Sequence, residues 1–390
     1  MIRKIFLLAA FMSAIIYCSC NDSNVGIFYG LSNEEKVSDY SLPNHLTSDT
    51  IVKVNGQLYL AAGTIYTKPS GGGKREWTKV SSPDGYRFAT EMAALSDGTI
   101  FIISYDVDDA KTMMFKGDGS GTWEKVSTPA DGKLSKMRIA NDVIYLSDKN
   151  GNFYYSTDKG SSFSKDTSLP EKKLFSTSTG VFDLVTDGLV CYLNTEFAIY
   201  KGTCNSWTPF QPRKNNGSEW KDDDETYTRL YYNGDADRLY ASDTDGYLYA
   251  VNSPASAGEK DWIQSDNNTP SGIGIQGMVQ VNVRSSGGKN HSVLLIGSGI
   301  TGGKGYYEVW DPEVDKSDRD KINPKRPKHS NEYISDYYDY LAFDISEAAV
   351  TNFFVDYYDD GINFDIYAMT YGYGVWKNSL KGSERGWNRE

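Results

Sequence analysis

The chain has 390 residues, a formal net charge of -12 and 39% hydrophobic residues. The excess of acidic residues argues against nucleic acid and anionic lipid headgroups as partners, because like charges repel. The length would suit two or three ordinary domains, although a repetitive β fold can hold it in one. Tyrosine is abundant, with 29 residues, and it favours both strand surfaces and protein-binding surfaces.

Residues 1–19 have the pattern of a signal peptide. Arg3 and Lys4 form a positively charged start, and an apolar run from Ile5 to Ile16 follows it. That run is too short to cross a bilayer as a helix, so it predicts export rather than a membrane span.

The end of this leader resembles a bacterial lipobox. Ser19 supplies the small residue before Cys20, although Tyr17 stands where leucine is usual. The resemblance implies that Cys20 carries the lipid (palmitate) and that residues 20–47 are a lipidated tether. We expect a lipid-anchored protein of the cell envelope, on the surface or periplasmic side of the outer membrane, with secretion without lipid as the alternative.

Two further cysteines, Cys191 and Cys204, flank a predicted hairpin turn near Thr195. Export would place them in an oxidising compartment, where disulfides form. Their positions are not symmetric about the turn, so a disulfide and two separate thiols are both open. Neither their spacing nor their neighbours indicate a metal site.

A repeated unit begins near residue 48 and runs to residue 390. Its clearest marker is an apolar–aromatic pair within a short strand. The pairs are Ile65-Tyr66, Met114-Phe115, Tyr154-Tyr155, Ile199-Tyr200, Leu248-Tyr249, Val309-Trp310 and Val375-Trp376. After most pairs come a polar turn and a closing strand with an aromatic near its start.

Two more strands precede each pair. In the first unit they are Thr50 to Val54 and Gln57 to Ala62, joined by Asn55-Gly56, a strong hairpin signal. Four-stranded units of this length are typical of β-propeller blades. The sequence therefore predicts an all-β, seven-bladed β-propeller over 48–390, with an open solenoid or a two-sheet sandwich as the alternative.

The sixth unit departs from this pattern. A charged, proline-containing segment at about 311–339 follows its third strand, and Tyr340 to Ile345 is predicted to supply the outer strand. We interpret the segment as a long loop insertion, a feature that is often functional in compact domains.

The third unit contains the stretch STDKGSSF, which includes Ser156, Asp158, Gly160 and Phe163. It resembles the Asp box of sialidases, of the photosystem assembly propeller and of many cell-surface propellers. The resemblance implies a structural turn between the third and fourth strands of a blade. Asp158 would accept backbone N–H groups and Gly160 would adopt positive φ.

No catalytic set accompanies this box, since the Arg-Ile-Pro motif of sialidases is absent. Arg138, Arg229 and Arg284 fall on predicted innermost strands, where they could bind a carboxylate or another anion in the central channel. Pairing of each arginine with a neighbouring acid is the alternative. We predict no cofactor and no metal site, because the three histidines are dispersed.

Two aromatic stretches, Tyr333 to Tyr340 and Phe353 to Tyr358, are either exposed contact surface or blade core. The chain also resembles, in outline, propeller lipoproteins of spirochaetes and other diderm bacteria. We expect a membrane-anchored, non-catalytic propeller that binds a protein, in the manner of an adhesin for a host surface or matrix. A periplasmic scaffold or assembly factor and a glycan-active, sialidase-like enzyme are the alternatives.

Overall fold

Seven antiparallel sheets follow one another along the chain, each built from one contiguous segment. The computed structural model describes residues 41–43, 50–106, 108–130, 132–169, 183–195, 198–212, 227–269, 275–284, 289–299, 305–325, 345, 348–359, 363–379 and 387–390. The first strand of each sheet contacts the first strand of the next sheet, and the seventh contacts the first. The predicted seven-bladed, all-β propeller is confirmed.

Within each blade the strands pair in chain order, from the innermost to the outermost. The first two blades comprise Thr50–Val54, Gln57–Ala62, Thr64–Pro69, Thr78–Val80, Tyr86–Ala94, Ile100–Asp106, Lys111–Gly117 and Trp123–Val126. The third and fourth comprise Leu134–Ala140, Val143–Asp148, Phe153–Ser156, Ser164–Lys165, Asp183–Thr186, Cys191–Asn194, Ile199–Thr203 and Ser206–Pro209.

The remaining blades follow the same order. The fifth and sixth comprise Tyr227–Asn233, Arg238–Asp243, Leu248–Asn252, Ile263–Gln264, Gly277–Arg284, Asn290–Gly297 and Tyr306–Trp310. The seventh comprises Val350–Tyr358, Asn363–Thr370, Val375–Ser379 and Trp387–Arg389. The helices of the described residues are two short 3₁₀ turns, Glu259–Asp261 and Arg319–Ile322.

The hydrophobic core is divided into seven clusters within the described residues, and each cluster lies between two consecutive blades. Second strands are buried on both faces, as at Ile100–Ile103, where every side chain is fully buried. A sheet with two apolar faces needs a neighbour on each side. The cluster between blades 7 and 1 joins Ile51 and Leu58 to Tyr367 and Met369, and so closes the ring.

A hydrogen bond from an outer-strand tryptophan recurs between consecutive blades. The indole N–H donates to the residue that directly follows the fourth strand of the preceding blade. The three examples are Trp123 to the Ser81 carbonyl (2.7 Å), Trp207 to the Asp166 carboxylate (2.8 Å) and Trp262 to the Phe210 carbonyl (2.9 Å). At these three junctions the tryptophan that marks the closing strand in the sequence thus joins one blade to the previous one.

The segment predicted as a long loop insertion after the sixth blade is packed against the propeller in its described part, up to Lys325. The backbone of Lys325 pairs with Glu308 at the outer side of that blade, with N···O distances of 2.8 and 3.0 Å. Ile322 is fully buried, and Arg319 donates to the Gln264 carbonyl of blade 5 at 2.7 Å. The insertion up to Lys325 is therefore packed against blades 5 and 6. Most of the predicted outer strand at Tyr340 to Ile345 lies outside the described residues.

A buried ion pair stands at the seam between blades 1 and 7. Lys68 Nζ lies 2.7 Å from Glu390 Oε2, and both side chains have no solvent exposure. Burial lowers the pKa of Lys68, and the adjacent carboxylate of Glu390 opposes that effect. The Lys68 ammonium also lies 5.5 Å and 5.4 Å from the ring centres of Trp77 and Tyr367, within cation–π range.

A second contact closes the same seam. The fully buried carboxylate of Asp356, on blade 7, accepts from Lys53 at 2.9 Å, from the Ser70 hydroxyl at 2.7 Å and from the Gly71 N–H at 2.8 Å. Gly71 has φ of +68°, and a Cβ there would lie 2.9 Å from the Tyr358 ring. Glycine is needed at this position because the blade 7 aromatic occupies the space of a side chain.

Replacing Lys68 with methionine should destabilise the protein by about 3–5 kcal/mol, because the Glu390 carboxylate would stay buried without its counterion. Urea unfolding followed by tryptophan fluorescence measures the change. The double variant Lys68→Met/Glu390→Gln should recover part of the loss.

The matched control is Lys111→Met, which removes an ion pair whose two side chains are 51% and 62% exposed. It should leave the unfolding midpoint unchanged. An equal effect of the two single variants would show that the buried pair does not hold the seam.

Candidate functional site

A cavity of about 370 Å³ lies on the axis of the ring. Nearly all of its lining comes from the innermost strands, because these strands converge there. The lining residues are Thr50, Ile51, Val52, Met92, Ala93, Ala94, Met137, Arg138, Ile139, Asp183, Arg229, Leu230, Met278, Asn352, Phe353 and Met369. Most of these residues are apolar, yet many of their side chains are buried in the interblade cores, so the surface that faces the cavity is more polar than apolar. The charged groups come from blades 3, 4 and 5.

Asp183 lies between two of the predicted channel arginines. Its Oδ1 is 3.1 Å from Arg138 Nε, and its Oδ2 is 3.7 Å from Arg229 Nη1. The backbone N–H of Leu230 also donates to Oδ2 at 3.2 Å. The two arginine side chains keep 18% and 14% of their exposure, so solvent reaches them.

A second acid and a lysine extend this cluster. Glu91, on blade 2, is 2.9 Å from Arg138 Nη1 and 2.6 Å from Lys136 Nζ. Lys136 and Arg138 lie two residues apart on one strand, which places both side chains on the same face. Three cations and two carboxylates leave the five-residue cluster with one excess positive charge.

Burial alone would raise the pKa of Asp183, but the charges of Arg229 and Arg138 and the Leu230 N–H bring it below its ordinary value. This carboxyl therefore stays ionised at neutral pH. A glycosidase of the usual kind needs a second carboxyl that is protonated near neutral pH. Among the described lining residues, Asp183 is the one carboxylate, and its ionised state suits anchoring of the arginines.

Arg284 is not brought to this cluster by the strand register. Its backbone closes a hairpin with Asn290, at the far end of the strand from Gln276, whose carbonyl accepts from Arg229 Nε. Eight residues of strand separate the two ends, about 26 Å. The side chain of Arg284 lies outside the described part of the chain.

The turn that resembles an Asp box joins the third and fourth strands of blade 3. Asp158 accepts from the Ser162 hydroxyl at 2.6 Å, from the Ser162 N–H at 2.9 Å and from Ser156 Oγ at 2.8 Å, and these bonds lower its pKa to about 2. The N–H of Gly160 donates to Ser156 Oγ at 2.9 Å, and Gly160 has φ of +78°. Phe163 is partly buried against the core between blades 2 and 3.

The two body cysteines are unbonded and face one tyrosine. The Tyr145 hydroxyl is 3.9 Å from Cys191 Sγ and 3.5 Å from Cys204 Sγ. Cys191 pairs with Gly202 in the ladder, so Cys204 lies two residues further along. Diagonal neighbours of this kind are about 7–8 Å apart, which is longer than a relaxed disulfide requires.

The aromatic stretches divide between core and surface. Phe353 is buried between blades 6 and 7, whereas Tyr357 is 46% exposed. Tyr333 to Tyr340 lies outside the described residues.

One face of the ring carries half-exposed aromatic side chains. This face, called here the start face, is where first strands begin and where the turns between second and third strands lie. The turn residue Gly63 of blade 1 accepts from Ala89 near the start of blade 2, and Tyr371 of blade 7 donates to Ala349 just before its first strand. Exposed large apolar residues there are Phe88 at 54% and Tyr371 and Tyr373 at 50% each.

Metal and membrane features can be judged within the described ranges. No group of three or more His, Cys, Asp or Glu side chains there could hold a metal ion. His291 pairs with Asp311 at 2.7 Å, while His45 and His329 lie outside those ranges. None of the described helices has the length and apolar character to cross a membrane.

No protein-family profile and no curated protein matches this sequence. Solved structures are similar in fold. A GH74 xyloglucanase from Xanthomonas campestris aligns with a TM-score of 0.56 at 15% identity, over 88% of this chain and 54% of the enzyme. The chain thus spans about half the length of that xyloglucanase.

Propellers of similar length also align. YCF48 from Cyanidioschyzon merolae gives a TM-score of 0.51 at 12% identity, over 86% of this chain and 95% of that protein. A structure of YCF48 bound to D1 peptide gives 0.51 at 10% identity, over 87% and 94%. At such low identity these similarities show the propeller fold, and enzymes and binding proteins share it.

One buried carboxyl group, that of Glu308, has a pKa raised to about 7, but it does not line the cavity. Glu308, on the third strand of blade 6, is 1% exposed, and this burial raises its pKa against the hydrogen bond from Trp310 Nε1 at 2.8 Å. A general acid must reach its substrate. Glu308 is buried and does not line the cavity, so its raised pKa is a property of the fold.

The raised pKa of Glu308 should make stability depend on pH. Below pH 4.5 the carboxyl is protonated in both the folded and unfolded chains, and as pH rises through 7 the folded state loses about 3 kcal/mol relative to the unfolded state. Glu308→Gln should remove this loss. Denaturant unfolding at pH 4.5, 6 and 8 compares the variant with the wild type.

Glu124→Gln is the control, because the Glu124 side chain is 74% exposed. Its pH profile should follow the wild type. If Glu308→Gln also followed the wild type at every pH, the buried carboxyl would not titrate as described.

Proposed function

We propose that this chain is a membrane-anchored lipoprotein of the bacterial cell envelope whose propeller binds a protein partner without catalysis. The binding surface is the start face. The observation that carries the proposal is the exposure of Phe88, Tyr371 and Tyr373 on that face. Aromatic residues are enriched in protein interfaces because a rigid ring supplies contact area at a small entropic cost.

The three aromatics lie on blades 2 and 7, on either side of blade 1. Phe88 lies near the start of blade 2 with its ring over Gly63 of blade 1, and Tyr371 and Tyr373 occupy the turn between the second and third strands of blade 7. Blades 7, 1 and 2 are consecutive around the ring. A partner on the start face would therefore contact neighbouring blades, which gives an extended site of the kind that stable interfaces need.

Known propellers of similar fold support this class of function. One of the aligned structures is a propeller, YCF48, with a bound peptide. The aligned xyloglucanase is an enzyme, so glycan hydrolysis is the alternative function. However, the cavity of this chain has one carboxylate among its described lining residues, and arginines hold that group ionised. Binding accounts for the cavity and the surface better than glycan hydrolysis does.

Anchoring is tested by metabolic labelling with palmitate in a diderm bacterium that expresses the full chain. The wild type should be labelled, and Cys20→Ser should lose the label and leave the membrane fraction. Cys18→Ser is the matched control and should keep the label. Label that survives in Cys20→Ser would contradict the assigned lipidation site.

The side of the membrane is tested on intact cells with an added protease. Digestion would support an adhesin-like role toward a host surface or matrix. Full protection would restrict the proposal to a periplasmic scaffold or assembly role.

The binding face is tested by site-specific photocrosslinking in cells. Replacing Phe88, Tyr371 and Tyr373 together with serine should reduce capture of the partner at least about tenfold, because exposed aromatic residues dominate interface energies. The folded state of the variant is checked by circular dichroism and its unfolding midpoint.

Leu189 and Tyr357, on the opposite face of the ring, supply the control. They are 81% and 46% exposed, and Leu189 lies in the hairpin between the first two strands of blade 4. A Leu189→Ser/Tyr357→Ser variant should capture the partner normally. Loss of capture in this variant, with normal capture in the triple variant, would show that the partner binds the opposite face and would contradict the proposal.

A further inference from the structure

The central cavity combines two features that the partner-binding face does not explain. One side carries the guanidinium groups of Arg138 and Arg229. Its volume of about 370 Å³ falls within the range of small-molecule sites, about 300–1,000 Å³.

Arg229 has unused hydrogen-bonding capacity on its cavity side. Its Nε donates to the Gln276 carbonyl, and Nη1 is 3.7 Å from Asp183 Oδ2, beyond hydrogen-bond length. Within the described residues, neither Nη1 nor Nη2 makes a hydrogen bond. A guanidinium fork of this kind matches the two oxygens of a carboxylate.

The neighbouring charges hold this arginine in place without neutralising the site. Asp183 is shared between Arg138 and Arg229, so it cannot balance both. Glu91 is bound by Lys136 and Arg138. The single excess positive charge of the cluster suits a ligand with one negative charge better than a doubly charged phosphate.

We propose that the central cavity binds a monocarboxylate, whose carboxylate group pairs with the Arg229 fork. The ligand is a small carboxylate or the free C-terminus of a peptide, which share this chemistry. The inference is independent of the partner proposed for the start face, since it uses none of that surface.

Octanoate is the first probe, titrated calorimetrically into the full-length protein, with octanamide as its uncharged counterpart. Octanoate should bind in a one-to-one ratio, and octanamide should bind at least about tenfold more weakly, because charge-assisted hydrogen bonds are lost. A glycine-serine pentapeptide ending in leucine, with a free or an amidated terminus, forms the second arm.

Arg229→Gln should weaken binding at least about tenfold. Arg229→Lys, which keeps the charge and loses the fork, should bind with intermediate strength and serves as the test if the glutamine variant does not fold. Arg238→Gln is the matched control, because Arg238 lies on the second strand of the same blade and bonds to Asn252 and Pro312. It should bind octanoate as the wild type does.

Binding of octanoate that depends on Arg229 supports the proposal with a small molecule as ligand. Binding of the free-acid peptide alone, with the same dependence, supports it with a peptide terminus as ligand. Equal binding of octanoate and octanamide, unchanged affinity in Arg229→Gln, or no binding in either arm overturns it. The triple serine variant of Phe88, Tyr371 and Tyr373 should bind octanoate as the wild type does. Failure of one proposal is therefore distinguishable from failure of the other.

Discussion

A four-stranded blade with two apolar faces cannot stand alone, and the whole structure depends on each blade having a neighbour on both sides. Seven interblade cores meet this requirement within the described residues. Six of them join blades that are adjacent in sequence. The seventh joins blades 7 and 1, and there the apolar core is reinforced by the Lys68–Glu390 pair and by the contacts of Asp356.

Ring closure is also what produces the cavity and the binding face. Because the first strands converge, side chains from distant parts of the sequence meet on one axis, and Arg138, Asp183 and Arg229 come together from three blades. The start face gathers Phe88 and the Tyr371 turn from blades at the two ends of the sequence. The fold thus offers two chemically different surfaces, a cationic cavity on the axis and an aromatic face on the outside.

Local signals in the sequence predicted much of this fold. Asn55-Gly56 correctly marks the first hairpin, with the strands on either side at the expected bounds, because a tight turn needs positive φ at both positions. The ion pair of Lys68 and Glu390 could not be predicted, since 322 residues separate the partners and no local pattern links them. Asp183 was missed for a similar reason: a single acid at the start of a short strand resembles any other until the arginines surround it. The ordered path through Ile322 to Lys325 depends on packing against blade 5, which composition does not reveal.

The closing seam has a consequence for how such a ring could change during evolution. Each blade is one contiguous segment of the chain that forms its own sheet, and the tryptophan bond to the preceding blade recurs at three junctions. Duplication or loss of one segment would leave the remaining sheets intact. The blades that become neighbours would then need a new apolar interface. At the closing seam, the contacts of Lys68, Glu390 and Asp356 would have to adapt to a new curvature.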